Sequence, residues 1–186
     1  SAFYLYIQKR YKRMLAYSGI AHAGYLLLAI LSLGRDSDSA LLYYLTAYCA
    51  ATIPAFMAVL LVEKYRGDSV TGNFNGLYRT NPFLAVCTGI ALVSLTGIPP
   101  AAGFFGKFYI FSLAMQKDFI WLVIIALLNS CVGIYYYFRV IIAMYFREGK
   151  NDAAIELNFA HQLLLVIATA LIIALGIFPD LIISRI

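Results

Sequence analysis

The chain has 186 residues, of which 63% are hydrophobic and 12% are charged. Soluble domains contain roughly 45–50% apolar and about 25% charged residues, and a domain of this length cannot hide such a surplus in one core. The composition therefore excludes a soluble globular fold. The net charge of +5 does not indicate nucleic-acid binding, because the basic residues form short clusters between apolar runs.

Five apolar runs are each long enough, at about 20 residues or more, to cross a bilayer as a helix. In chain order they cover residues 14–33, 40–62, 83–115, 119–146 and 159–183. They lack the alternating pattern of a membrane β-barrel, so the sequence predicts an all-α integral membrane protein of about five transmembrane helices. The half-apolar stretch before Lys9 resembles the end of an earlier helix, and we expect the chain to be part of a longer protein.

The first run follows two basic residues, Lys12 and Arg13, which are typical of cytoplasmic membrane anchors; proton uptake is the alternative role for Lys12. His22 lies about 15 Å further along a helix, well into the bilayer. An imidazole there can relay protons near neutral pH, or it can simply hydrogen-bond a neighbouring carbonyl. The sequence leaves both roles of His22 open.

Hydroxyl groups in the first two runs can hold a file of hydrogen-bonded water between titratable groups. The candidates are Ser18, Tyr44, Tyr48 and Thr52. Such residues are more often interhelical contacts, and we interpret most of the remaining polar residues, including Asn129, Ser130 and the run 135–139, in that way.

The third run contains Gly97, Pro99 and Pro100 near its middle. Proline removes a backbone donor and clashes with the preceding turn, so a continuous helix cannot pass through this point without a kink or a break. The pattern predicts two half-helices joined at residues 97–100. Broken helices at membrane depth mark ion pathways in transporters, whereas a proline kink that serves only packing is the simpler alternative.

Lys107 follows the second proline by seven residues, and eight residues separate it from the end of the run at Met115. Those eight residues span about 12 Å along a helix, beyond a comfortable reach for a lysine that extends to the interface. A charged lysine inside a bilayer costs about 2.5 kcal/mol or more, so we expect it to be functional. Lys107 is therefore a candidate proton carrier.

Acidic residues lie only in connections or at the ends of runs, so the counter-charge of Lys107 must come from a missing part of the protein or from another subunit. The three cysteines, Cys49, Cys87 and Cys131, show no metal-ligand spacing and are interpreted as small buried residues. No metal site is predicted.

The distribution of Lys and Arg predicts the orientation. Nine lie in the N-terminal segment or in the connections after the second and fourth runs, and three lie on the opposite side. The positive-inside rule therefore places the N-terminal end of the chain in the cytoplasm.

Three stretches resemble the antiporter-like subunits of respiratory complex I, and most closely the bacterial N-subunit branch of that family. They are KRMLAYSGIAH at 12–22, SLTGIPP at 94–100 with GFFGKFY at 103–109, and GIYYYFRV at 133–140. The resemblance covers essentially the whole chain. Sister subunits carry His and Lys in the helix that corresponds to 40–62, where this chain has Tyr44, Tyr48 and Thr52, and this departure favours the N branch.

The resemblance implies that these are the last five helices of a proton-translocating subunit of NADH:quinone oxidoreductase, in a bacterial cytoplasmic membrane. Lys107 matches the family's mid-membrane lysine. Lys12 matches a basic residue at the family helix that corresponds to the first run of this chain. The resemblance also implies that this chain carries out no redox chemistry, and that FMN, iron–sulfur clusters and quinone are in other subunits. The partners implied are those membrane subunits and the remainder of the same subunit.

Two alternatives remain at this point. The first alternative is a cation/proton antiporter or a membrane-bound hydrogenase subunit, which shares the helix break. Sodium dependence of transport would distinguish it from the complex I subunit. The other alternative is a structural scaffold whose helices only pack neighbouring subunits.

Overall fold

The computed structural model describes residues 10–32, 37–68, 71–149 and 155–179. Within these ranges the chain is helical and contains no strand. The α-helices are α1 (Tyr11–Leu31), α2 (Ser37–Arg66), α3 (Leu77–Thr80), α4 (Pro82–Thr96), α5 (Ala102–Gln116), α6 (Ile120–Phe146) and α7 (Phe159–Ile177), and a 3₁₀ turn at Thr71–Phe74 precedes α3.

Four of these helices, α1, α2, α6 and α7, are long and apolar enough to cross a membrane. The third predicted run is divided into α4 and α5, which have 15 residues each. Each half is about 22 Å long by helix rise, shorter than the hydrocarbon core of about 30 Å. The all-α membrane class and the break at residues 97–100 are thus confirmed.

The observed helix bounds differ from the predicted bounds where polar residues extend a helix beyond its apolar run. α2 begins at Ser37 and ends at Arg66, beyond the expected 40–62, because Asp38 in its first turn and Lys64 and Arg66 in its last turn suit the helix dipole. Hydropathy marks the apolar length of a helix and misses such ends. Leu33 and residues 180–183, which the sequence also assigns to helices, lie outside the described residues.

Helix α2 is the centre of the bundle and packs against α1, α4, α5 and α7. A series of small residues allows this close packing, and Ala47, Ala51, Ala55 and Ala58 are all fully buried. The outer helices leave large apolar side chains uncovered, as at Leu128, which is 63% exposed. The two half-helices α4 and α5 are therefore held against the central helix α2.

Candidate functional site

The break between the half-helices is set by Gly97. This residue has φ +81° and ψ +44°, a left-handed conformation that glycine adopts without a side-chain clash. Its N–H donates to the Ser94 carbonyl at 3.0 Å and closes the last turn of α4. Because Pro99 and Pro100 have no N–H, the helix cannot continue, and the final carbonyls of α4 need partners from elsewhere.

Lys107, on the second half-helix, supplies those partners. Its Nζ donates to the carbonyl oxygens of Leu95 at 3.0 Å and Thr96 at 2.9 Å, and to the Ser130 Oγ of α6 at 3.1 Å. Only 6% of Lys107 is exposed. The C-terminal end of a helix carries a partial negative charge, so the ammonium of Lys107 is stabilised without a carboxylate.

The capping is reciprocal, because α4 also satisfies the start of α5. The Gly103 N–H donates to the Ser94 Oγ at 3.1 Å. A Cβ on Gly103 would overlap the Ser94 carbonyl oxygen, so only glycine permits this approach. Ser94 and Lys107 together fix the two half-helices against each other at the break.

An aromatic ring covers the ammonium from α1. The Lys107 Nζ lies 5.3 Å from the centroid of the Tyr25 ring, a distance at which a cation is attracted to the ring face. The Tyr25 hydroxyl accepts a hydrogen bond from the Asn129 Nδ2 at 3.3 Å and donates to the Ala126 carbonyl at 3.4 Å. Helices α1, α4 and α6 therefore all converge on Lys107.

A second cluster of polar groups surrounds His22, which is buried between α1, α2 and α6. Its Nδ1 lies 2.6 Å from the Tyr44 hydroxyl, and its Nε2 lies 3.5 Å from the Tyr137 hydroxyl. The Tyr137 hydroxyl also hydrogen-bonds the Ser18 Oγ, and the Tyr48 ring stacks on the imidazole at a centroid distance of 4.6 Å. The described hydrogen bonds thus run from Ser18 through Tyr137 and His22 to Tyr44.

A small cavity joins this cluster to Lys107. It has a volume of about 10 Å³, and its lining includes His22, Tyr44, Tyr48, Ser94 and Lys107. A cavity needs roughly 10–15 Å³ and two to four polar partners to hold one water molecule. One water at this place would complete a polar connection between the imidazole and the amine.

The other predicted site residues lie away from this connection. Lys12 is exposed at the start of α1 and forms an ion pair with Glu63 of α2 at 3.2 Å. Lys12 is separated from Ser18, the nearest residue of the His22 cluster along α1, by six residues, about 9 Å along the helix. The Thr52 hydroxyl donates to the Cys49 carbonyl of its own helix at 2.9 Å, and it does not join the His22 cluster.

Sequence reasoning missed Tyr25, Tyr137 and Ser130 as members of the site. The signal for Tyr25 is spacing, because Ser18, His22 and Tyr25 recur every three or four residues and share the buried face of α1. Tyr137 and Ser130 give no such signal. Their contacts depend on how α6 packs across the chain, which local sequence does not encode.

Within the described residues, no carboxylate forms an ion pair with Lys107, and no group of three His, Cys, Asp or Glu side chains comes together. The partners of Lys107 in this part of the chain are two backbone carbonyls, one hydroxyl and one ring. The described site therefore brings a buried amine close to a hydrogen-bonded cluster of an imidazole and three hydroxyls.

Comparisons with known proteins identify the family of the chain. A sequence profile of the family described as NADH:quinone oxidoreductase/Mrp antiporter, TM, matches residues 2–133. NADH-quinone oxidoreductase subunit N from Cytophaga hutchinsonii is 43% identical over 177 residues, which cover 95% of this chain and 39% of that protein. The chain thus spans about two fifths of the length of this curated relative.

Two solved structures of respiratory membrane complexes contain a chain with the same fold. A chain of respiratory complex I from Thermus thermophilus with bound aureothin superposes with a TM-score of 0.85 and 35% identity, over 98% of this chain and 42% of that one. A chain of the membrane-bound sulfane sulfur reductase, an archaeal respiratory membrane complex, superposes with a TM-score of 0.87 and 31% identity, over 98% and 37%. The resemblance to antiporter-like subunits is confirmed, and the chain belongs to the NADH:quinone oxidoreductase/Mrp antiporter family of membrane proteins.

Proposed function

We propose that this chain is the C-terminal part of a proton-translocating subunit of bacterial NADH:quinone oxidoreductase, and that Lys107 carries the proton. The observation behind the proposal is a buried amine whose described partners include no acid. If Lys107 served only to cap the carbonyls of Leu95 and Thr96, a neutral hydrogen-bond donor could do so without the free-energy cost of burying a charge. An amine that alternates between charged and neutral forms needs a site that tolerates both.

The rest of the site supplies a route to Lys107. In this proposal Lys12, paired with Glu63 at the exposed end of α1, exchanges protons with water on the cytoplasmic side. The hydroxyls of Ser18, Tyr137 and Tyr44 and the imidazole of His22 then form a hydrogen-bonded path, and Tyr48 holds the imidazole by stacking. The cavity that His22, Tyr44, Ser94 and Lys107 line is the proposed place for one water that bridges the cluster and the amine.

The driving force arises outside this chain. Quinone reduction in another subunit alters the charge in the remaining part of the protein, which changes the proton affinity of Lys107 and drives release toward the periplasm. FMN, iron–sulfur clusters and quinone belong to those other subunits, and this chain performs no redox step. Its partners are the membrane subunits of the complex and the remainder of its own subunit, in the bacterial cytoplasmic membrane with the N-terminal end of the chain in the cytoplasm.

The test is Lys107→Met in the intact complex. Methionine has nearly the volume of lysine, is unbranched and one atom shorter, and removes the titratable amine. We expect proton pumping in membrane vesicles to fall by at least about tenfold, the scale of a lost proton-transfer group, while assembly of the complex is retained. The matched control is Lys117→Gln, because Lys117 is an exposed lysine just beyond the same half-helix and should leave pumping unchanged. Unchanged pumping in Lys107→Met would make the lysine structural.

A second candidate is a cation/proton antiporter. The family description covers Mrp antiporters as well as NADH:quinone oxidoreductase, and both share this membrane domain. Transport that depends on sodium in the reconstituted protein would favour the antiporter, whereas pumping that depends on NADH oxidation and is indifferent to sodium supports the first proposal.

A further inference from the structure

Ser130 is the one described side-chain hydroxyl that hydrogen-bonds the amine of Lys107. It lies on α6, outside both half-helices, with its Oγ 3.1 Å from the Lys107 Nζ and 3.5 Å from the Thr96 carbonyl oxygen. The other two acceptors of the amine, the carbonyls of Leu95 and Thr96, belong to the end of α4. Ser130 therefore differs from them in both chemistry and origin.

The difference in chemistry matters when the proton leaves. A lysine ammonium has three N–H donors and no acceptor, and the site offers three oxygens. A neutral amine has two N–H donors and one lone pair. A backbone carbonyl can only accept, so Leu95 and Thr96 cannot satisfy that lone pair, whereas a serine hydroxyl both donates and accepts.

We propose that Ser130 is a positioning residue whose hydroxyl reverses its hydrogen bond as Lys107 gains or loses its proton. With the ammonium, the Ser130 Oγ accepts from Nζ and its O–H points to the Thr96 carbonyl. With the neutral amine, the O–H rotates to donate to the Nζ lone pair. Both charge states are then fully hydrogen-bonded in the same place, so the amine keeps its position while the proton moves.

This inference rests on the proposed function and predicts a specific defect when the hydroxyl is removed. Without it, the ammonium loses one acceptor and the neutral amine loses its only described donor. A buried polar group left without a partner is costly, so both states become unfavourable and the transfer step slows. The variants Ser130→Ala, Ser130→Thr and Ser130→Val separate this effect from packing, because Thr and Val have nearly the same shape and only Thr keeps the hydroxyl.

The experiment compares these variants in the intact complex, with NADH oxidation and proton pumping measured in the same membrane vesicles. We expect Ser130→Ala and Ser130→Val to lower the rate of proton pumping by about tenfold, on the scale of one charge-assisted hydrogen bond, and Ser130→Thr to stay close to the unmodified protein. Thr46→Val is the control, because the Thr46 hydroxyl bonds only the Leu42 carbonyl of its own helix among the contacts described, and its loss should change nothing.

Combination with Lys107→Met gives a second readout that does not depend on packing. Once the amine is absent, Ser130→Ala should add little further loss, because the hydrogen bond between Ser130 and the Lys107 Nζ is already gone. Equal behaviour of Ser130→Thr and Ser130→Val, whether normal or defective, would overturn the role of the hydroxyl. Normal pumping in Ser130→Val beside lost pumping in Lys107→Met would refute only this inference, whereas normal pumping in Lys107→Met would refute the proposed function itself.

Discussion

At the scale of single residues, Lys107 combines two roles that are usually separate. It closes the C-terminal end of α4 by donating to Leu95 and Thr96, and in the proposed function its buried amine carries the proton. The first role explains why the charge is tolerated, since the helix dipole and three oxygens replace an acid. It also means that any replacement of the amine, methionine included, leaves the carbonyls of Leu95 and Thr96 without their Lys107 donor, so the amount of assembled complex has to be measured beside pumping.

His22 provides the prediction at this scale. His22→Phe keeps a flat ring against Tyr48 and removes both nitrogens, which contact the hydroxyls of Tyr44 and Tyr137. If the imidazole relays protons, pumping in vesicles should fall by roughly tenfold or more at an unchanged amount of assembled complex. Pumping equal to that of the unmodified protein would assign His22 to a structural role.

At the scale of elements, the break could be predicted but its closure could not. Two prolines after Gly97 are enough to predict that one apolar run becomes two half-helices, since each ring prevents the helix from continuing. That Lys107 reaches back to cap the first half depends on the direction in which α5 leaves the link. The sequence predicted a functional lysine and placed its counter-charge outside this chain, which stays a prediction. It did not predict the partners within the chain, which are two carbonyls and Ser130.

The break also yields a stability prediction at Gly97. Gly97→Ala places a side chain in a left-handed conformation, at a cost of about 1–2 kcal/mol, and puts a Cβ about 3.0 Å from the Lys107 Cδ and 3.1 Å from its Nζ. We expect a lower melting temperature of the assembled complex and reduced pumping, because the amine is displaced from its carbonyls.

Gly72→Ala is the matched control for that experiment. No atom lies within 4 Å of a Cβ at Gly72, and its φ is outside the left-handed region. Equal melting temperatures for the two variants would show that the turn at Gly97 does not hold the half-helices in place.

At the scale of the whole molecule, the orientation in the membrane connects the site to the two aqueous sides. Lys64 lies in the last turn of α2, on the side where Lys12 pairs with Glu63, and Lys117 follows α5 on the opposite side of the predicted topology. The positive-inside rule places the Lys64 side in the cytoplasm. In the proposed route, protons enter near Lys12 and leave beyond Lys107, which is the direction of pumping.

Cysteine labelling checks this orientation. In intact cells, a membrane-impermeant maleimide should modify Lys117→Cys and leave Lys64→Cys unmodified, and in inverted vesicles the pattern should reverse. The unmodified protein serves as background for the native cysteines. Labelling of Lys64→Cys from outside intact cells would invert the proposed route.

The central claim is that the amine of Lys107 changes its charge during turnover. Infrared difference spectroscopy of the intact complex with isotopically labelled lysine, recorded before and during NADH oxidation, measures this change directly, and Lys107→Met assigns the signal. We predict that one lysine alternates between ammonium and amine and that its signal disappears in the methionine variant. A Lys107 that stays charged throughout NADH oxidation would contradict the account.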